Sequence, residues 1–340
     1  MSDYRVFFMT AGTLKKVVHG GSGKRQQEKT EKKVLDFSAS TNPFPPEVNW
    51  DCDSFFLEHY PDDSYTHLKE VIADTFQRKP EEIGVGNGSI ELIRVCCNVI
   101  LGKKGTYYTE TPAFGEYAFS AELAGGKPAK RMAGADLIFI CNPNNPTGSL
   151  RSLQDMQAIL KNQLKDGGML CADEAFIELA DPAQSLVTIK NDNLVVLRSL
   201  TKCFSVPGIR FGYCIGNPDL IEKMEAARLP WTVNAYAEAF ALQAFRHFYE
   251  LAESRRLIAN ERSFLVDALF SIGLTPLPSS ANFLLVETGL EVRDLCNKLK
   301  KKNILVRDCT SFGLPTKIRI AVRTHSENRC LLEALQSCLH

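Results

Sequence analysis

The sequence predicts an α/β chain: a large part built on a mostly parallel sheet covered by helices, then a smaller α+β part at the C-terminus. Three observations predict it. Runs that are apolar along their whole length, at 136–141 (DLIFIC), 168–172 (GMLCA), 194–197 (LVVL) and 211–215 (FGYCI), alternate with helix-like stretches. Strands apolar on both faces, rather than on alternate residues, belong in a parallel sheet with helices on each side. From about Pro230 the pattern turns to a long helical region rich in Ala, Glu and Arg over 235–270, and then to a second, shorter set of strands.

Taken in order, residues 22–33 (SGKRQQEKTEKK) are polar and charged, and predict a loop or a solvated helix start. Residues 34–40 predict a short strand, and Asn42-Pro43-Phe44-Pro45-Pro46 forces an extended, turn-rich entry to the main body. Gly86-Asn87-Gly88-Ser89 opens an apolar helix over 90–101. After the long helical region come candidate strands at 282–287, 304–307 and 318–322, a helix at 291–301, and a last helix starting near Ser326 as N-cap.

Bulk composition excludes several classes. With 340 residues, 44% hydrophobic and 24% charged, the chain can bury a large core. Forty basic and forty acidic side chains cancel, so nothing global favours nucleic acid or an anionic membrane, and any anion site must be local. Eleven scattered cysteines lack zinc spacing and predict reduced, mostly buried thiols rather than a metal site. Asp3 stands where a signal peptide would be positive, the apolar stretch from Val6 to Met9 is short, and no apolar run approaches the ~18 residues of a membrane helix. A cytoplasmic protein is expected.

Ligands of open α/β sheets bind outside the carboxyl ends of the strands. Three strand ends carry polar residues suited to one ligand. The first is Asn142-Pro143-Asn144-Asn145-Pro146-Thr147-Gly148, a rigid loop with amide donors and acceptors. The second is Asp173, a carboxylate that needs a donor or cation beside it if buried. The third is Ser199-Leu200-Thr201-Lys202, with Arg210 eight residues on in Gly208-Ile209-Arg210-Phe211-Gly212. A lysine that is desolvated or near other cations loses its proton. Two hydroxyls, a lysine and an arginine at this spacing suit a phosphate with an aldehyde nearby. Gly88 and Ser89 add close backbone approach and a helix N-terminus, which attracts phosphate.

NPNNPTG, DEAF, SLTK and GIRFG, in this order, resemble the fold-type I pyridoxal-phosphate (PLP) enzymes of the aspartate aminotransferase superfamily, over nearly the whole chain from about Val34. The resemblance implies PLP as cofactor, in a Schiff base with Lys202. It also implies Asp173 at the pyridine nitrogen, Asn145 at the ring hydroxyl, Phe114 stacked on the ring, and Gly88, Ser89, Ser199, Thr201 and Arg210 as a phosphate cup. Tyr60, in Tyr60-Pro61-Asp62, resembles a tyrosine lent to the neighbouring subunit's phosphate, so a homodimer with shared sites is expected. The implied layout is an N-terminal segment over 1–45 contributing to the small domain and substrate site, a PLP-binding domain over 46–235, and a linking helix with small domain over 236–340. Phe176 departs from the pattern, since many relatives carry tyrosine there.

Two branches fit: histidinol-phosphate aminotransferases and the threonine-phosphate decarboxylases of cobalamin synthesis. His19-Gly20-Gly21, Asp36-Phe37-Ser38-Ala39, Asn42-Pro43, the Asp-Glu-Ala-Phe form and Ile318-Arg319-Ile320-Ala321-Val322-Arg323-Thr324 resemble the second. Ser40 and Ser22 depart from it, standing where its members often have asparagine. The implied substrate is a phosphorylated amino acid, O-phospho-L-threonine or O-phospho-L-serine. Arg307, Arg319 and Arg323 are expected to recognise its two anions, with His19, Ser40 and Asn42 completing the phosphate pocket.

Overall fold

A computed structural model describes residues 16–30, 32–51, 57–102, 105–163 and 168–339. The stretch from Val6 to Met9, read above against a signal peptide, lies outside them, as does Cys52. Thirteen strands are found among the described residues: β1 (Leu35–Asp36), β2 (Ile83–Gly86), β3 (Thr106–Thr109), β4 (Lys127–Pro128), β5 (Leu137–Cys141), β6 (Met169–Asp173), β7 (Leu194–Ser199), β8 (Gly212–Gly216), β9 (Thr275–Pro276), β10 (Phe283–Glu287), β11 (Ile304–Leu305), β12 (Arg307–Asp308) and β13 (Lys317–Ala321).

The large sheet has the order β2-β8-β7-β6-β5-β3-β4. The four apolar runs are its centre, and their residues divide by parity. Leu137, Phe139, Cys141, Cys171, Val195 and Leu197 join one core with the helices Ser89–Leu101, Glu116–Leu123 and Pro218–Ala227. Ile138, Ile140, Leu170, Ala172, Leu194 and Val196 join a second core on the opposite face, with Met156 and Leu160 of the helix Leu153–Gln163. Each fully buried side chain of this size contributes about 2 kcal/mol, and both faces gain it, which is why the runs are uninterrupted.

One strand departs from the expected direction. β8 lies antiparallel to both β7 and β2. A parallel return needs a full crossover. Residues 200–211 hold only the one-turn helix Leu200–Cys203 and bend at Arg210, whose φ is 63°, so the chain turns straight back.

The C-terminal sheet is antiparallel, ordered β12-β13-β10-β9. The run expected at 304–307 splits: β11 pairs in parallel with β1, and β12 pairs with β13. The N-terminal strand is thereby tied to the C-terminal part. The long helical region is Ala235–Ala244, a 3-10 segment Phe245–Glu250, and Leu251–Ser271. The last helix begins at His325, so Ser326 lies inside its first turn rather than capping it. No helix among the described residues is long and apolar enough to cross a membrane. The ten described cysteines are free, and eight of them are buried.

Candidate active site

Because β5, β6 and β7 run parallel, the loop after Cys141, then Asp173 and Ser199, emerge at one edge of the sheet. A cavity of about 1470 Å³ opens there. Gly88, Ser89, Phe114, Asn145, Asp173, Ser199, Thr201, Lys202 and Arg210 line it, and so do Arg307 and Arg319 from the C-terminal sheet and His19 and Ser40 from the N-terminal segment. Thirteen of the sixteen residues picked out from sequence thus converge on one space.

Lys202 sits in the one-turn helix and keeps some surface toward the cavity. Burial, then the nearby Arg319 and Arg210, push its ammonium down to about 8, while Asp173 acts in the opposite sense. Its Nζ stands 5.8 Å from the Phe176 ring centre, and Phe176 in turn packs edge-on against Phe283. Asp173 is almost fully buried. Burial raises its carboxyl above the usual range, opposed by a 2.6 Å hydrogen bond from the Tyr117 hydroxyl, a 3.0 Å bond from the Ala175 N–H, and Lys202. Tyr117 was not legible in the sequence. It is locked by stacking on Phe139, with ring centres 4.9 Å apart and planes 9° apart, and its edge meets Phe114.

The turn at Gly88–Ser89 is shaped for an anion. Gly88 has φ 75° and caps the helix Ser89–Leu101. A Cβ at Gly88 would come within 2.6 Å of Arg210 Nη2. Arg210 is free to face the cavity, with Nη1 donating to the Pro207 carbonyl at 3.2 Å. The Ser199 hydroxyl donates to the Phe211 carbonyl at 3.2 Å, which fixes the Ser199–Thr201 turn against the segment that carries Arg210 into β8. These groups could hold a phosphate, and Lys202 and Asp173 could hold an aldehyde and a pyridinium. The Arg210 guanidinium held against Gly88 at the helix start and the depressed lysine are the features that make PLP fit.

The C-terminal sheet brings two arginines to the cavity. Arg307 and Arg319 are direct partners across β12 and β13. Arg319 donates to the Asn145 side-chain oxygen and, at 3.0 Å, to the Ser38 carbonyl, while its buried Nε has no partner. Burial lowers its guanidinium to about 10. Arg307 donates through Nη2 to the Val18 carbonyl and the Ser311 hydroxyl, both at 2.7 Å. Ser40 is buried with an unpartnered hydroxyl. His19 is half-exposed, tilted over Phe114 at 5.8 Å, and bonded through Nε2 to Glu116 at 2.8 Å.

Three expected residues lie elsewhere. Asn42 does not line the cavity: its amide donates to the Cys203 carbonyl at 2.7 Å and its N–H to the Lys202 carbonyl at 2.9 Å, so it anchors the lysine's turn. Arg323 lies beyond the end of β13 and pairs with Glu327, one helical turn on, instead of facing the cavity. Tyr60 is 79% exposed and rests tilted against Trp231, with ring centres 4.5 Å apart, away from this chain's own cavity.

Comparison with known proteins agrees with this geometry. The family described as aminotransferase class I and II matches residues 57–335. A threonine-phosphate decarboxylase of Salmonella typhimurium is 31% identical over 338 residues, covering 90% of this chain and 91% of the relative. A histidinol-phosphate aminotransferase of Symbiobacterium thermophilum is 32% identical over 298 residues, covering 82% of each. The crystal structure of a histidinol-phosphate aminotransferase from Sinorhizobium meliloti in complex with pyridoxal-5'-phosphate shares the fold, with a TM-score of 0.83 at 21% identity and 98% of each chain covered. Fold, cofactor and motif order therefore agree on one lineage, and this chain belongs to the aminotransferase class I and II family of PLP-dependent enzymes.

Proposed function

We propose that the chain decarboxylates O-phospho-L-threonine to carbon dioxide and (R)-1-amino-2-propanol O-2-phosphate, with O-phospho-L-serine, which would give ethanolamine phosphate, as the alternative substrate. The observation that carries this reading is the pairing of Arg307 with Arg319 where the C-terminal sheet lines the cavity. A cavity that already reserves Arg210 for the cofactor keeps two further guanidiniums, which suits a substrate with a carboxylate at one end and a phosphate ester at the other. The likeness to a threonine-phosphate decarboxylase supports the same reading. The equal likeness to a histidinol-phosphate aminotransferase supports the second, transamination of histidinol phosphate. The exposed Tyr60 is in keeping with a homodimer in which it serves the neighbouring copy.

Lys202, Asp173, the Gly88–Ser89 turn and Arg210 would hold PLP, with Phe114 and Asn145 beside the ring. Bound there, PLP supplies an electron sink for the pair left when a bond to the substrate's α-carbon breaks. Which bond breaks is a matter of orientation, and the arginines set it. Arg319, anchored by Asn145 and Ser38, holds the substrate's carboxylate end, and Arg307 with His19 and Ser40 holds the phosphate. Decarboxylation breaks the bond from the α-carbon to the carboxylate, carbon dioxide leaves, and a proton must reach the α-carbon. Lys202 delivers it, because an ammonium at about 8 exchanges its proton near neutrality.

The test is to supply the PLP-loaded protein with O-phospho-L-threonine, with O-phospho-L-serine, and with histidinol phosphate plus 2-oxoglutarate, following carbon dioxide and glutamate. Carbon dioxide from a phosphorylated amino acid without need of 2-oxoglutarate is expected. Carbon dioxide from neither, with glutamate formed from histidinol phosphate, reverses the order of the two readings.

A further inference from the structure

Glu116 opens the helix Glu116–Leu123, and its side chain is only 5% exposed. One carboxylate oxygen accepts from His19 Nε2 at 2.8 Å. The other is buried without a hydrogen-bond partner, and the nearest cation, Arg94, stands 3.7 Å away. An acid in a first helical turn is favourable in itself, but a solvated carboxylate would serve that purpose. Burying one with an unsatisfied oxygen costs free energy, so the pairing with His19 needs a use.

The surrounding contacts suggest one. The backbone on either side of His19 is clamped: Val18 gives its carbonyl to Arg307, Gly21 donates to the Ser38 hydroxyl at 2.9 Å, and Gly20 lies so near the Ser38 carbonyl that a Cβ would meet it at 2.3 Å. With the main chain fixed and Nε2–H committed to Glu116, a ring protonated on both nitrogens has its Nδ1–H left to donate. His19 and Arg307 line the same cavity and are joined through Val18. We infer that Glu116 is a positioning residue for the substrate's phosphate ester: it holds the His19 ring at the cavity wall beside Arg307, so that Nδ1 meets the phosphate. The inference rests on the phosphorylated substrate proposed above.

The experiment compares wild-type holoenzyme with Glu116→Gln, His19→Ala and the double variant, measuring KM and kcat for O-phospho-L-threonine, the cofactor's absorption, and binding of inorganic phosphate by calorimetry. Each single variant is expected to raise KM and weaken phosphate binding about tenfold. The absorption should not change, kcat should move far less than KM, and the double variant should be no worse than His19→Ala. Unchanged KM and phosphate binding in Glu116→Gln overturn the inference, and so do effects that multiply in the double variant. Should Glu116→Gln not fold, Glu116→Asp, which withdraws the carboxylate by one methylene, is expected to give the same KM rise, and an unchanged KM again overturns it. A wild type that turns over no phosphorylated amino acid counts against the proposed reaction. In that case phosphate binding decides separately: weaker binding in Glu116→Gln supports the positioning role, and equal binding or none in the wild type sinks it.

Discussion

The Tyr117 hydroxyl donates a 2.6 Å hydrogen bond to Asp173 at the floor of the cavity, where both groups are almost wholly buried. The bond is one of the few forces that favour the ionised carboxylate at that site, against a burial effect that opposes it. Tyr117→Phe keeps the ring stacked on Phe139 and removes only this donor. The carboxyl should then rise further, and Asp173 should hold a pyridinium less well. Hydrogen bonds to charged groups are worth about 1.5–3 kcal/mol, so PLP affinity or kcat/KM should fall about tenfold or more. Equilibrium PLP titration and steady-state kinetics check it, and a wild-type-like variant would show that Asp173 does not depend on Tyr117.

Lys202 supplies a pH signature. Its ammonium is lowered from the ordinary 10.5 to about 8, chiefly by burial and next by Arg319. The neutral amine is the nucleophile, so its reactivity should climb as pH rises through about 8 and level off above. Trace labelling of the cofactor-free protein with acetic anhydride, read peptide by peptide, measures this at Lys202. Arg319→Gln removes the larger of the two repelling charges and should move the midpoint upward. A wild-type midpoint near 10.5 would contradict the account.

Two glycines, one in the phosphate turn and one at the start of β8 packed against it, should fail in different ways. At Gly88 an alanine would be forced into a backbone conformation that essentially only glycine adopts, at a cost of about 1–3 kcal/mol, and would press on the far end of the Arg210 side chain, which can move aside. Gly88→Ala should therefore fold and bind PLP more weakly. At Gly212 the added Cβ would stand 2.2 Å from the Ser89 backbone nitrogen, which cannot. Gly212→Ala should melt well below wild type or fail to fold. Thermal melts and PLP titration of the pair separate the two effects, and equal stability would contradict the packing argument.

The sequence made the centre of the sheet legible because β5 to β8 are buried on both faces and read as unbroken apolar runs. The same property hides direction, which is why antiparallel β8 was not foreseen. Ile83–Gly86, half glycine, and Thr106–Thr109, half threonine, gave no apolar run and passed unnoticed as strands. Lys202, Asp173 and Arg210 stood out as polar groups at the ends of apolar strands. Tyr117 did not, since its partner is 56 residues away and nothing local marks it. Asn42 is expected in the phosphate pocket from the resemblance alone, but its amide ties down the turn of Lys202. Arg323 is expected at the substrate from the resemblance of residues 318–324, yet the strand ends at Ala321 and leaves Arg323 to the helix acid Glu327.

The most direct test of the whole account is to load the protein with PLP, reduce it with borohydride, digest it and locate the label by mass spectrometry. A phosphopyridoxyl group on Lys202, and its disappearance together with the cofactor's absorption band in Lys202→Ala, is the predicted result. A protein that stays colourless with PLP, or a label carried by some other lysine, would contradict it.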